Sequence, residues 1–264
     1  MRIKGGVTVE TKIMAVINQK GGVGKSTTAE ALLAGLLLKG YSCLAIDLDA
    51  QGNLSYTVGA KKEGATVLGV LTGDIKAKEA IQHLPSGDII AANNALAGAD
   101  AFINTTGKEY RLKEALDELK GIYQYIIIDT PPALGILTVN ALTACHSVII
   151  PSQADIYSLQ GIEQLAETIK PVKKYCNPNI YIDGILLTRY NGRSVLSREV
   201  AEIATRLAKK LNTKVFKTTI REAVAIKEAQ ISQKSIFEYS PKSKVADDYK
   251  SLLNELLEDE RGKL

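Results

Sequence analysis

The stretch "KIMAVINQKGGVGKSTTAEALLAGLLLKG", Lys12 to Gly40, constrains the fold more than any other part of the chain. It opens with an unbroken apolar run and turns through Gly21, Gly22 and Gly24. It continues with Ala29, Leu32, Leu33, Leu36 and Leu37 on one helical face. An apolar run without alternation is the pattern of a strand buried on both faces, and the spacing after the glycines has the helical period. Gly40 fits a helix stop. "YSCLAIDLD" reads as a second strand. Thr11–Asp49 is therefore expected to fold as strand, turn, helix and parallel strand.

The alternation repeats. "YRLKEALDEL" places Leu112, Ala115, Leu116 and Leu119 on one face, and "YQYIIIDTPP" is a strand that ends in Asp129 and is stopped by Pro131 and Pro132. "SVIIPSQ", "IDGILLTRY" and "KVFKTTI" read as further strands. Helices are expected over 135–145, 158–175 and 195–211, and "SKVADDYKSLLNELLEDE" closes the chain as an amphipathic helix. This predicts a single α/β domain over 11–264, behind a short polar tail of residues 1–10. Its mostly parallel, twisted sheet would carry helices on both faces. Residues 59–108 are the least regular and read as a loop-rich excursion with short helices.

Composition excludes several classes. Apolar residues make up 45% of the 264 and charged residues 23%, an ordinary globular balance. Trp is absent and Phe scarce, so the core must rest on Ile, Leu, Val and Ala. Cys43, Cys145 and Cys176 form no C-x-x-C, which argues against a local zinc or Fe–S motif. Their odd number argues against a disulfide framework and for a reducing cytosol. His83 and His146 lack metal-ligand spacing and read as structural or surface residues. No apolar run is long enough to span a bilayer, and "MRIKGGVTVE" lacks a signal core. A net charge of +4 permits nucleic-acid contact without arguing for it.

The glycine-rich turn carries the chemistry. A phosphate-binding loop is spelled G-x-x-x-x-G-K-[ST]. Gly24, Lys25 and Ser26 match its end, Gln19 stands where the first glycine would, and Lys20 is added. Gly21, Gly22, Val23 and Gly24 would bring backbone N–H groups around phosphate oxygens. Lys25 would reach the β- and γ-phosphates, Ser26 would place its hydroxyl on Mg²⁺, and Thr27 would touch the α-phosphate. Lys20 is surplus to one cradle. It is either an ordinary surface lysine or one that reaches a nucleotide held by a second subunit. Three acids follow apolar strands. Asp47 and Asp49 are two apart and face the same side, and Asp129 ends its strand next to the loop. Asp129 would hold Mg²⁺ through water, and Asp47 would support the same shell.

"KGGVGKST" resembles the deviant Walker A motif of the ParA/MinD family of ATPases, in which the early lysine is the signature residue. The resemblance implies a P-loop NTPase fold, with ATP and Mg²⁺ sandwiched in a homodimer. It also implies Lys20 acting in trans and slow, partner-activated hydrolysis. "DLDAQGN" resembles the family's second motif, which gives Asp49 the role of orienting the attacking water; Ala50 stands where Pro is common. Asp155 in "PSQADIYSLQG" would accept a hydrogen bond from ribose across the interface, or else simply cap a helix.

"YIIIDTPPALGILTVNALTA" and "LLTRYNGRSVLSREVAEIA" look like the ParA (Soj-type) partition branch. The MinD branch ends in a basic membrane-binding helix. Here Glu255, Glu258, Asp259 and Glu260 make the last helix acidic, so it is expected to pack on the domain rather than on a membrane. Relatives bind DNA without sequence preference through basic residues of the second half. Arg193, Arg221 and Lys242 lie in segments resembling that region, although "TTIREAVAIKEAQ" departs from the usual wording and scattered basic residues often mark only a solvated face. Only about ten residues precede the first strand, so no operator-binding domain is expected there.

The implied function is a cytoplasmic, nucleoid-associated DNA-partition ATPase stimulated by a ParB-like centromere-binding protein. The alternatives are an ATPase that positions a protein cluster, a dethiobiotin-synthetase-like ligase, and a metallocluster-dependent reductase ATPase. The last would need an interface cysteine pair, and only Cys145 lies in a suitable segment.

Overall fold

The computed structural model describes residues 10–261. Residues 1–9 of the tail expected over 1–10 lie outside them. Strand β1 (Lys12–Val16) leads through the glycine loop into helix α1 (Lys25–Leu38), then strand β2 (Cys43–Asp47). Helices α2 (Asn53–Thr57) and α3 (Val67–Thr72) precede the hairpin β3 (Ile81–Leu84) and β4 (Gly87–Ile90). Next come α4 (Ala99–Phe102), α5 (Arg111–Asp117), β5 (Tyr125–Asp129), α6 (Ile136–Ala144) and β6 (Ser147–Gln153). Helix α7 (Ile156–Tyr175), β7 (Tyr181–Thr188) and α8 (Val195–Lys210) follow. Helices α9 (Val224–Ile231), α10 (Ile236–Tyr239) and α11 (Lys244–Arg261) close the chain.

The strands form one sheet in the order β3-β4-β2-β5-β1-β6-β7. Every neighbouring pair is parallel except the β3–β4 hairpin at one edge. Strand periodicity divides the core in two. Ile13, Ala15, Ile126 and Ile128 point to one face, and Met14, Val16 and Ile127 to the other, where α1 and α11 pack. This is the expected α/β architecture with helices on both faces. The register pairs Val16 and Asp47 with Asp129, so β1, β2 and β5 end level with one another.

Helix α11 buries Val245, Ala246, Tyr249, Leu252, Leu253, Leu256 and Leu257 against α1 and its neighbours. Gly35 permits this approach, because a Cβ there would collide with the Leu253 side chain. The acids of α11 are largely engaged. Glu255 pairs with Lys214 at 3.1 Å, and Glu260 pairs with Lys12.

Two expectations need correction. "KVFKTTI" is not a strand: Val215 and Ile220 make only isolated bridges to Ile185 and Thr188. The N–H groups of Lys217 and Thr218 donate to the Glu255 carboxylate, at 2.9 and 3.0 Å, instead of to a neighbouring strand. The 59–108 excursion also holds two strands. "GDII" is too short to carry a strand period, yet β4 extends the parallel sheet beside β2.

Candidate nucleotide site

The loop between β1 and α1 is held from outside by its carbonyls. Gln153 at the end of β6 donates to the Gly22 carbonyl at 2.7 Å, and Thr188 at the end of β7 donates to that of Val23 at 2.8 Å. Buried Asn18 anchors the entry. Its amide donates to the Pro151 carbonyl, and its side-chain oxygen accepts from the Lys20 N–H at 3.0 Å. Among the described residues, no N–H from Gly21 to Ser26 donates to a protein acceptor. Gly22 and Gly24 hold φ of +75° and +91°, and a Cβ on Gly21 or Gly22 would meet no protein atom. The loop therefore offers a row of free donors at a helix N-terminus, which is what an anion requires.

A cleft of about 760 Å³ opens above it, lined by Gly21 through Thr27. Asp49, Gln51 and Pro132 form one part of the wall, and Arg189, Arg221, Ile226 and Gln230 another. The Lys25 ammonium is buried and donates to the Lys20 carbonyl at 3.2 Å. Burial pulls its pKa down, while Asp129 and Asp49 act to hold it up.

The three strand-end acids differ in their surroundings. Asp47 accepts from the N–H groups of Asp49 and Ser55, at 3.0 and 2.8 Å, and from the Ser55 hydroxyl at 2.7 Å. Burial still pushes it up to about 6. Asp49 lines the cleft, and its Oδ1 accepts from the Gln51 N–H at 3.0 Å. Asp129 is fully buried, and no hydrogen bond of normal geometry reaches either of its oxygens. Burial and the nearby Asp47 raise its pKa well above the carboxylate range, against the Ser26 hydroxyl and the Lys25 ammonium.

A buried acid without a donor, flanked by a second acid and a serine hydroxyl, fits a divalent cation. Ser26 would be a ligand, Asp129 would reach the ion through water, and Asp47 would support that shell. Among the described residues, no group of three or more His, Cys, Asp or Glu could hold a metal alone. Mg²⁺ keeps several waters and takes phosphate oxygens, so it needs few protein ligands.

Lys20 is not free in the single chain. Its ammonium sits between both Asp155 oxygens, at 2.7 and 2.8 Å, and 5.9 Å from the Tyr157 ring. Asp155 caps α7 by accepting from the Ser158 N–H and hydroxyl, at 3.0 and 2.8 Å. Its partial burial would raise its pKa, but Lys20 and Ser158 together hold it below the usual range.

The basic residues singled out for DNA lie apart in the chain. Arg193 is exposed in the loop between β7 and α8, and Lys242 is exposed in the turn entering α11. Arg221 stands on the cleft wall and is clamped by both oxygens of Asp248, each at 2.7 Å.

Sequence reasoning missed Asn18, Ser55, Gln153, Thr188 and Gln230. They lie outside the phosphate-loop spelling and act only through contacts that the fold creates. Ser55 alone had a local signal, since it follows the "DLDAQGN" motif within one helical turn.

A loop that turns its lysine, its glycines and its N–H groups to one cleft is built for a phosphate chain, and the protein is a P-loop ATPase. The comparisons narrow the class. Residues 11–182 match a family model described as an AAA domain. The chain is 41% identical to the sporulation initiation inhibitor protein Soj of Bacillus subtilis, over 93% of this chain and 98% of that one. It is 37% identical to the chromosome partitioning protein ParA of Myxococcus xanthus, over 96% and 90%. The chain belongs to the Soj/ParA family of partition ATPases, which work with ATP and Mg²⁺. Among solved structures, a cobyrinic acid a,c-diamide synthase from Mycobacterium smegmatis with bound ADP and magnesium is 34% identical. It covers 96% of this chain and 97% of its own, with a TM-score of 0.83.

A second model, described as the 4Fe-4S cluster binding NifH/frxC family, matches residues 137–264. Cys145 is buried, and burial pushes its thiol far above the usual range. Among the described residues no helix is long and apolar enough to cross a membrane.

Proposed function

We propose that this chain is an ATP-operated DNA-partition switch. With ATP it forms a homodimer that binds DNA without sequence preference. A ParB-like centromere-binding protein then stimulates hydrolysis and releases it, so that a plasmid or chromosome cargo is positioned on the nucleoid in the cytoplasm. The observation that carries this reading is the likeness to Soj along nearly the whole of both chains, together with the extra lysine at the cleft.

The geometry of the cleft supports the following roles. The free N–H groups of Gly21 to Gly24 bind the phosphates, Lys25 neutralises the β- and γ-phosphates, and Thr27 faces the α-phosphate. Mg²⁺ would supply neutralisation of the charge that develops on the phosphates. Ser26, Asp129 and Asp47 hold its shell. Asp49, which lines the cleft, orients the attacking water, and it need not be a strong base because positioning dominates this chemistry. Lys20 exchanges Asp155 for a phosphate of the facing subunit when the dimer closes. Asp155, once released, is available to the partner's ribose. Arg193 and Lys242 contact DNA phosphates from exposed positions, and Arg221 joins them only if Asp248 lets go.

A second reading, a small-molecule ligase, draws on the likeness to the diamide synthase. Binding to long random-sequence DNA with ATP–Mg²⁺ and with ADP–Mg²⁺, across a salt series, separates the two. Binding only with ATP, falling steeply with salt, is expected. No binding in either state would overturn the partition reading and leave the ligase to be assayed.

A further inference from the structure

Helix α9 reaches the nucleotide cleft through one side chain. The Gln230 amide donates to the Thr27 hydroxyl oxygen at 3.0 Å, and both residues line the cleft. A hydroxyl has one proton and two lone pairs. An amide N–H on one lone pair leaves the proton to be donated elsewhere. Within a helix, a threonine proton commonly turns back to the carbonyl four residues earlier. For Thr27 that carbonyl is Val23's, which accepts from Thr188 through one lone pair and, among the described residues, receives no bond from the Thr27 hydroxyl.

We infer that Gln230 is a positioning residue: it turns the Thr27 proton into the cleft, toward an α-phosphate oxygen of the bound nucleotide. This rests on the placement of Thr27 at the α-phosphate in the reading above. Gln230 touches neither Mg²⁺ nor the γ-phosphate in this scheme, so it acts on binding of ADP and ATP alike. It also ties the loop–helix segment after Ile220 to nucleotide occupancy. The neighbouring Gln233 fastens the same segment by another route, donating to the Tyr56 carbonyl on α2 at 2.9 Å. It provides the control.

The test is ADP affinity of the full chain for Thr27→Ala, Gln230→Ala, Gln230→Glu, Gln233→Ala and the double variant Thr27→Ala/Gln230→Ala. The two α-thio diastereomers of ADP are measured alongside. Thr27→Ala is expected to weaken ADP about tenfold, the loss of a hydrogen bond to a charged group. Gln230→Glu should match it, because a carboxylate only accepts and would draw the Thr27 proton away from the cleft. Gln230→Ala should lose about threefold, and Gln233→Ala less than about twofold. The double variant should bind no worse than Thr27→Ala, since Gln230 acts through Thr27. Thr27→Ala and Gln230→Glu should shift the preference between the α-thio diastereomers equally.

If Thr27→Ala weakens ADP while both Gln230 variants keep wild-type affinity and preference, the positioning role is overturned and the α-phosphate reading stands. If Thr27→Ala itself binds normally, both fall. Equal losses in Gln233→Ala and Gln230→Ala would make the effect one of packing and also overturn the role.

Discussion

At the amino end of the sheet, Lys12, Glu260 and Tyr125 bury charge in partnership, whereas at the carboxyl end Asp129 buries a carboxylate that the chain leaves without a hydrogen-bond donor. Lys12 and Tyr125 open the adjacent central strands β1 and β5, and Asp129 ends β5. Burying a charge is costly in either place. At the amino end, pairing offsets the cost. At the carboxyl end the Lys25 ammonium and the Ser26 hydroxyl offset it only in part, and a bound cation would supply the rest. The contrast separates charge kept for stability from charge kept for chemistry, and it can be attacked from both sides.

The largest effect is expected from Asp129→Asn. Removing the charge should lower Mg²⁺-dependent ATP hydrolysis by at least about a hundredfold. The same change should raise the melting temperature of the nucleotide-free protein by a few degrees, because a buried, poorly answered acid is gone. Steady-state hydrolysis and calorimetry measure the two. A variant that is both inactive and less stable would place Asp129 among the structural charges and break the comparison.

Glu30 is the next test, since it lies at neither end. It is buried within α1, and among the described residues no ion pair reaches it. Burial raises its pKa from 4.5 to about 8. Below the unfolded value both states hold the proton and the group is neutral toward folding. Between the two values the unfolded chain releases the proton and the folded one keeps it, so stability falls as pH rises. Above about 8 the cost is complete. Glu30→Gln should flatten this decline and add on the order of 3 kcal/mol at alkaline pH, read by urea unfolding at pH 5 and 9. Equal pH slopes for variant and wild type would mean that Glu30 is solvated and charged in the fold.

Much of this was legible in the sequence, and the reason is local. The first βαβ unit could be read because apolar runs, glycines and helical spacing lie next to one another between Lys12 and Asp49. Asp47 and Asp129 could be located because strands end where acids begin. The pins on the loop could not, because Gln153 and Thr188 lie 131 and 165 residues from the carbonyls they hold. "KVFKTTI" misled for the same reason. Its β-branched residues predict a strand, but a carboxylate on α11 captures the Lys217 and Thr218 N–H groups in its middle. Lys20 shows the limit most clearly. Its type suggested a partner, while its attachment to Asp155 depends on where β6 delivers the start of α7.

The smallest effect is expected at the amino end, from Glu260→Gln. Glu260 pairs with Lys12 and accepts from the Tyr125 hydroxyl at 2.8 Å. The two charged side chains are only 18% and 20% exposed, so solvent screens the pair little. Burial alone would lower the Lys12 pKa, but Asp183 and Glu260 together raise it above its ordinary value. Glutamine keeps the shape and an acceptor for Tyr125 while removing one charge of the pair. Asp183 remains to answer Lys12, so the loss should be about 2 kcal/mol rather than the larger cost of a stranded charge. ADP affinity and hydrolysis should not change, because the whole length of β1 and β5 separates this pair from the cleft. Chemical unfolding and a nucleotide titration on the same sample decide the matter. A stability loss with intact binding is the signature of structural charge. Lost binding at intact stability would show that the two ends of the sheet are coupled, and would remove the distinction drawn from Asp129.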